Sequence, residues 1–143
     1  MNKLLMGALL CINLIFYGQT IDSLKLGSGG GFAGTVTVYK YAKGKVLKGK
    51  GLTTISYTDR ACICGKDKRN IVKIAQDLFN KDLNYNSPGN TYEFIEIYSK
   101  GKVVKLTWTK PMDSADSGNL DPLVLSKIED IKNIFHKLKF KSI

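Results

Sequence analysis

Cys62 and Cys64 are the most reactive pair in the chain, two thiols separated by Ile63 and followed by Gly65. In an extended strand, side chains two residues apart share one side at a spacing of about 6.6 Å, near the upper limit for a bridge. A disulfide there needs a turn or bulge, which Gly65 can supply. Three readings stay open: a disulfide, free thiols with partial burial, and a redox or metal role. Zinc is disfavoured, because four ligands are usual and the chain has one histidine, His136. His136 falls near the end of the last helical pattern among lysines, where a helix C-terminus favours its charged form. No Ser–His or Cys–His dyad follows from it. Glu93 and Glu96 are three apart in a strand pattern, so they point to opposite faces and cannot share a substrate. Asp113, Asp116 and Asp121 lack the spacing of a calcium loop. The inventory predicts a protein that is not an enzyme, with no catalytic residue, no metal and no cofactor.

The segment Gly27-Ser28-Gly29-Gly30-Gly31-Phe32-Ala33-Gly34 carries a different signal. Gly29, Gly31 and Gly34 match G-x-G-x-x-G, the dinucleotide fingerprint, and Leu24 and Leu26 precede them as a strand would. That fingerprint needs its third glycine to open a helix whose amides hold a pyrophosphate. Thr35-Val36-Thr37-Val38-Tyr39-Lys40-Tyr41 follows instead, β-branched and aromatic at period two, which is a strand. Phosphate binding is therefore set aside. Each glycine costs entropy to order, so a run this dense serves a backbone conformation or a close approach. Gly29, Gly30, Gly31, Phe32, Ala33 and Gly34 are the candidate partner-binding residues. A lone aromatic near a sheet end is most often buried, so Phe32 is expected to plug the core; presentation as an anchor is the alternative.

Other elements must position these groups. Residues 35–41 and 45–48 read as a hairpin around Ala42-Lys43-Gly44, and residues 52–58 as a third strand. From Asp67, a candidate N-cap, Ile71, Ile74, Ala75, Leu78 and Phe79 recur with helical spacing toward Asn84. Pro88 and Gly89 suit the centre of a type II turn. Residues 91–98 and 102–109 form a second hairpin through Lys100-Gly101, with Val104, Leu106 and Trp108 on one face. After a polar stretch over 110–119, Asp121 caps and Pro122 begins a helix with one apolar stripe, Val124, Leu125, Ile128, Ile131, Phe135 and Leu138. The predicted fold class is α+β: a two-layer sandwich, an antiparallel sheet of four to five strands with two helices packed on one face.

Residues 1–19 read as a secretory signal peptide: Lys3, an apolar run from Leu4 to Tyr17 too short for a bilayer span, and a small or polar exit near Gln19. Cys11 sits within that run and is removed with it. Residues 20–143 are then one domain, secreted or periplasmic and without a transmembrane anchor. The formal charge of the whole chain is +10. Of its 22 basic residues only Arg60 and Arg69 are arginine, the usual reader of bases and phosphates, so the charge reads as a solubilising surface and no nucleic-acid partner is expected.

The order of elements adds a resemblance. Ser28-Gly29-Gly30-Gly31-Phe32-Ala33-Gly34, then a helix, a hairpin carrying Tyr92 and Trp108, and Leu120 and Leu123 leading the last helix, distantly resembles the emfourin family of protealysin inhibitors. Those are small inhibitors of thermolysin-type metalloproteases. The chain is also similar, over nearly all of residues 20–143, to a group of small secreted bacterial proteins of uncharacterised function. They share Gly-Ser-Gly-Gly-Gly-Phe and a later Pro-Gly-Asn, here Pro88-Gly89-Asn90. The chain differs from the emfourin pattern by an extra glycine, the strand region over 52–58 and the leader, and no inhibitory residue is carried over. The resemblance implies a secreted, non-catalytic, monomeric binding protein, with a metalloprotease as partner. The alternative is an envelope-associated protein that binds a small ligand or serves structurally.

Overall fold

The structure is a computed structural model, and it describes residues 20–110 and 120–143. The expected leader, Asp113 and Asp116 lie outside the described residues. The elements in chain order are β1 (Ser23–Gly30), β2 (Val36–Ala42), β3 (Lys45–Gly51), β4 (Ser56–Cys62), α1 (Gly65–Asn80), β5 (Tyr85–Ser87), β6 (Thr91–Ser99), β7 (Lys102–Thr109), α2 (Pro122–Lys137) and β8 (Lys141–Ser142). The protein is α+β, with two helices and an open sheet of eight strands in the order β5-β7-β6-β1-β2-β3-β4-β8. Every neighbouring pair is antiparallel except β5 and β7, which run parallel.

Eight strands replace the expected four to five. The largest addition is β1, which runs through the glycine segment and lies in the middle of the sheet between β2 and β6. Glycine is depleted in strands because it brings no side chain to pack. Here the packing comes from the neighbour: Gly27 pairs with Phe94 and Gly29 with Tyr92. A Cβ on Gly27 would meet the Phe94 ring at 2.6 Å, and one on Gly29 the Tyr92 hydroxyl at 2.9 Å. The rings of β6 thus lie over the glycines of β1. Short β5 and β8, of three and two residues, close the two edges and limit pairing with other chains.

Two hairpins follow the expected chemistry. Lys43 and Gly44, and again Lys100 and Gly101, both take positive φ, the backbone of a two-residue turn whose twist matches antiparallel strands. The third strand is shifted: residues 52–55 are a loop, and β4 begins at Ser56. Gly51 packs against the Thr54 carbonyl so tightly that no Cβ fits, and this forces the chain to turn where β-branched residues suggested extension. Helix α1 opens at Gly65, with Cys64 as an N-cap that makes no side-chain hydrogen bond, so Asp67 lies in the first turn beside the helix dipole. The helix stops at Asn80, short of Asn84, and Asp82 takes a positive φ of 47° to send Leu83 and Tyr85 back toward the core. Gly89 does not take the positive φ of a type II turn. Its missing side chain admits Thr109, whose Cγ2 would lie 2.6 Å from a Cβ there. Asp121 caps α2 as expected, its Oδ1 accepting from the Leu123 N–H at 2.8 Å.

One core holds the two helices to one face of the sheet. Ile71, Ala75, Leu78 and Phe79 of α1 and Val124, Ile128, Ile131 and Phe135 of α2 join Leu24, Leu26, Ile95, Ile97, Leu106 and Trp108. The alternate residues of the same strands, Lys25, Phe94, Glu96 and Thr107, and Val38 of the neighbouring β2, stand outside that cluster on the opposite face. No helix among the described residues is long and apolar enough to cross a membrane.

Candidate functional site

The candidate partner-binding residues divide between a rigid strand and a presented turn. Gly29 and Gly30 are the end of β1, paired with Tyr92 and Thr91. Gly30 has φ 93°, and a Cβ on it would collide with the Asn90 carbonyl. Gly31, at φ 76°, donates its N–H to that same carbonyl at 2.7 Å. The Gly34 N–H then reaches the Gly31 carbonyl at 3.2 Å, closing a turn with Phe32 and Ala33 at its corner. Side chains at the corner of a turn point to water. Phe32 has a relative exposure of 113%, so the expectation that it plugs the core is corrected. Leu52 of the β3–β4 loop, 68% exposed, stands beside this turn, its Cδ2 3.8 Å from where a Gly34 Cβ would be. Two large apolar side chains therefore face solvent at one end of the sheet.

From that end a trough of about 520 Å³ runs along the uncovered face. The register of six strands places its floor in rows. One row is Thr107, Phe94, Gly27, Val38, Gly49 and Tyr57; the next is Thr109, Tyr92, Gly29, Val36 and Gly51. No side chain rises from β1 or β3 in these rows; between the aromatic walls Val36 is half-buried and Val38 is buried. The Tyr92 and Phe94 ring centroids are 6.4 Å apart on one wall. Ile55 and Tyr57 line the other, and Asn86 and Pro88 border the mouth.

The third row is charged: Lys105, Glu96, Lys25, Lys40, Leu47 and Arg60. Glu96, 14% exposed, pairs with Lys105 at 3.1 Å and Lys25 at 3.4 Å, and accepts a 2.6 Å hydrogen bond from the Tyr98 hydroxyl. Burial pushes its carboxyl up, but the Tyr98 hydrogen bond and the two lysines outweigh that and hold it below the ordinary value. Burial likewise pulls Lys25 down, and the contacts with Tyr98 and Glu96 override it and raise its ammonium. The Tyr57 hydroxyl is raised, first by burial and then by Glu96, against the opposing charge of Lys25. The sequence reading missed this cluster. Its signal was the alternation Leu24, Lys25, Leu26, Gly27, Ser28, Gly29, which puts Lys25 and two glycines on one face once β1 is extended through the glycines.

Neither a protein-family model nor a curated protein matches this sequence. The remaining reactive groups are therefore judged by geometry alone. Glu93 and Glu96 stand on opposite faces, as their spacing predicted. Glu93 lies beneath α2 and takes a 2.9 Å ion pair from Lys132, which also reaches Glu129 at 3.3 Å. Burial pulls Lys132 down, and the Glu93 contact reverses it and raises the ammonium. This pair bridges helix and sheet. His136 is exposed, its ring 5.9 Å from that of Tyr39.

Cys62 and Cys64 are both exposed free thiols, so the disulfide is absent and so is the partial burial. Ile63 between them is buried, and Cys64 is extended at φ −144° and ψ 177°. The chain thus keeps strand spacing across the pair, which leaves the two thiols near the upper limit for a bridge. Among the described residues no group of three or more His, Cys, Asp or Glu is arranged to hold a metal.

Proposed function

We propose that this protein is a non-catalytic binding module, exported from the cytoplasm and monomeric, that presents Phe32 on the segment from Gly29 to Gly34 to an apolar pocket of another secreted protein. The observation that carries this is the full exposure of Phe32 on a turn whose base is locked into the sheet. An aromatic side chain is a strong interface anchor when a partner desolvates it. A polar or small residue would fill the same turn at no hydrophobic cost, and with Leu52 beside it Phe32 forms a contiguous exposed patch, the arrangement that marks an interaction surface. Leu52 beside it widens the apolar patch.

The emfourin resemblance supplies the partner class, a thermolysin-type metalloprotease that this chain would inhibit. The abundance of lysine over arginine favours a soluble protein partner over nucleic acid. Titration against thermolysin tests the reading. Slowed peptide hydrolysis at micromolar protein supports inhibition, and unchanged hydrolysis at that concentration discards the inhibitor version. A pull-down from the producing culture, with Phe32→Ala as the control bait, then tests the wider binding role: a protein captured by the native chain and lost with the variant supports it, and identical captures reject it.

A further inference from the structure

We propose that the trough on the uncovered sheet face binds a small amphipathic anion, an apolar body ending in one carboxylate, with the body against Phe94, Val36, Ile55 and Tyr57 and the carboxylate toward Lys105. This goes beyond the Phe32 reading: the trough shares Leu52 with that patch, and Phe32 itself does not line it. Three independent observations converge on it.

The first is shape. At about 520 Å³ the trough falls within the size range of small-molecule sites, and its lining is amphipathic: Val36, Ile55, Tyr57, Tyr92 and Phe94 offer apolar surface, and Lys25, Glu96 and Lys105 offer charge. Glycines weaken a strand, and the Cβ clashes at Gly27 and Gly29 show that they are spent to let two rings lie low over β1.

The second is the ordered change in chemistry along the strands. Two apolar rows are followed by the row that holds Lys105, Lys25, Lys40 and Arg60 around the single carboxylate of Glu96. Glu96 is shared between Lys25 and Lys105, and among the described residues neither Lys40 nor Arg60 has an ion-pair partner. The row therefore keeps a positive excess at the end of an apolar channel. Lys40 lies four positions beyond Val36, which at strand rise is about 13 Å. That span suits a chain of about ten carbons with its charge at one end. A second copy of this chain is a poor occupant, because a formal charge of +10 opposes self-association.

The third is Thr107 in the trough wall. It is 5% exposed, and its hydroxyl has no hydrogen-bond partner among the described residues. A buried polar group without a partner is costly, and such groups concentrate where a ligand completes them. Thr107 pairs across the sheet with Phe94, so a small turn of that ring would open its hydroxyl to the trough.

The test is titration of the full chain with decanoate and, as the uncharged counterpart, decanol, followed by amide chemical shifts. The expected result is shifts centred on Lys25, Val36, Tyr57 and Phe94, with decanoate at least about fivefold tighter than decanol. Lys105→Met is expected to remove most of that preference while leaving decanol binding unchanged; its side chain is 56% exposed and Glu96 keeps Lys25 and Tyr98, so the chain still folds. Phe32→Ala is expected to bind decanoate like the native chain. Absence of shifts at millimolar decanoate, shifts centred elsewhere, equal affinity for the two probes, or a dimer that buries this face in solution would each overturn the proposal. None of those results bears on Phe32 and its protein partner.

Discussion

Phe32→Ala separates an anchor from a core residue by two readings that must move apart. Truncating a buried phenylalanine costs about 3–5 kcal/mol, whereas substitutions on open surface stay within about 0.5 kcal/mol. For a domain of this size each kcal/mol moves the melting temperature by about 4 °C. A plug would therefore lower it by roughly 12 °C or more, and the presented turn seen here by less than about 2 °C, because Phe32 buries nothing within the chain. On the partner side, loss of a desolvated aromatic anchor costs about 2 kcal/mol, or roughly thirtyfold in affinity. Differential scanning calorimetry gives the first number and a competitive titration against thermolysin the second. A fall of more than about 8 °C would show that Phe32 packs inward. An inhibition constant unchanged within about twofold would show that Phe32 anchors nothing.

Gly30→Ala should destabilise by at least about 2 kcal/mol, since its φ of 93° and the Asn90 carbonyl both oppose a side chain; Gly31→Ala, with open space around it, should cost only about 1 kcal/mol. Urea midpoints of the two variants check this order, and equal losses would contradict it. The lowered pKa of Glu96 contributes stability that is present above its ordinary value of 4.5 and is lost as pH falls through the folded value. Glu96→Gln should therefore lose less stability than the native chain between about pH 5 and pH 2, and identical acid slopes would remove Glu96 from the account. Iodoacetamide on the native protein should alkylate Cys62 and Cys64 alike, as seen by peptide mass spectrometry; protection of either before unfolding would contradict their exposure.

Local patterns were legible where a single element decided them. The stripe of α2 and its Asp121-Pro122 start could be read because cap, proline and 3.6-residue spacing act within one helix. Both Lys-Gly turns were legible for the same reason. The strand after Gly34 was also correct, and it is what rules against a dinucleotide fold. What escaped depends on partners distant in sequence. β1 extends through glycines only because Phe94 and Tyr92, more than sixty residues away, cover them. β4 starts four residues late because Gly51 meets Thr54. Phe32 was misplaced because burial frequency ignores the Gly34-to-Gly31 turn that carries it outward. The charged row on the open face depends on the register of six strands, which no local spacing encodes.

The glycines are therefore not one flexible loop, and this bears on binding strength. Gly27 and Gly29 are held under rings, and Gly30 and Gly31 are fixed on the Asn90 carbonyl, so the chain is ordered up to the residue before Phe32. Only residues 31–35 connect β1 to β2, and the Gly34-to-Gly31 bond shortens that span further. Each rotamer-rich or mobile group immobilised on association costs about 0.5–1.5 kcal/mol, so an anchor on a pre-formed turn keeps more of its burial energy than one on a free loop. A longer or less constrained connection would present the same phenylalanine with lower affinity. The glycines make the short, fixed connection sterically feasible: one side chain at Gly30 would push β1 away from β6 and loosen the base on which Phe32 stands.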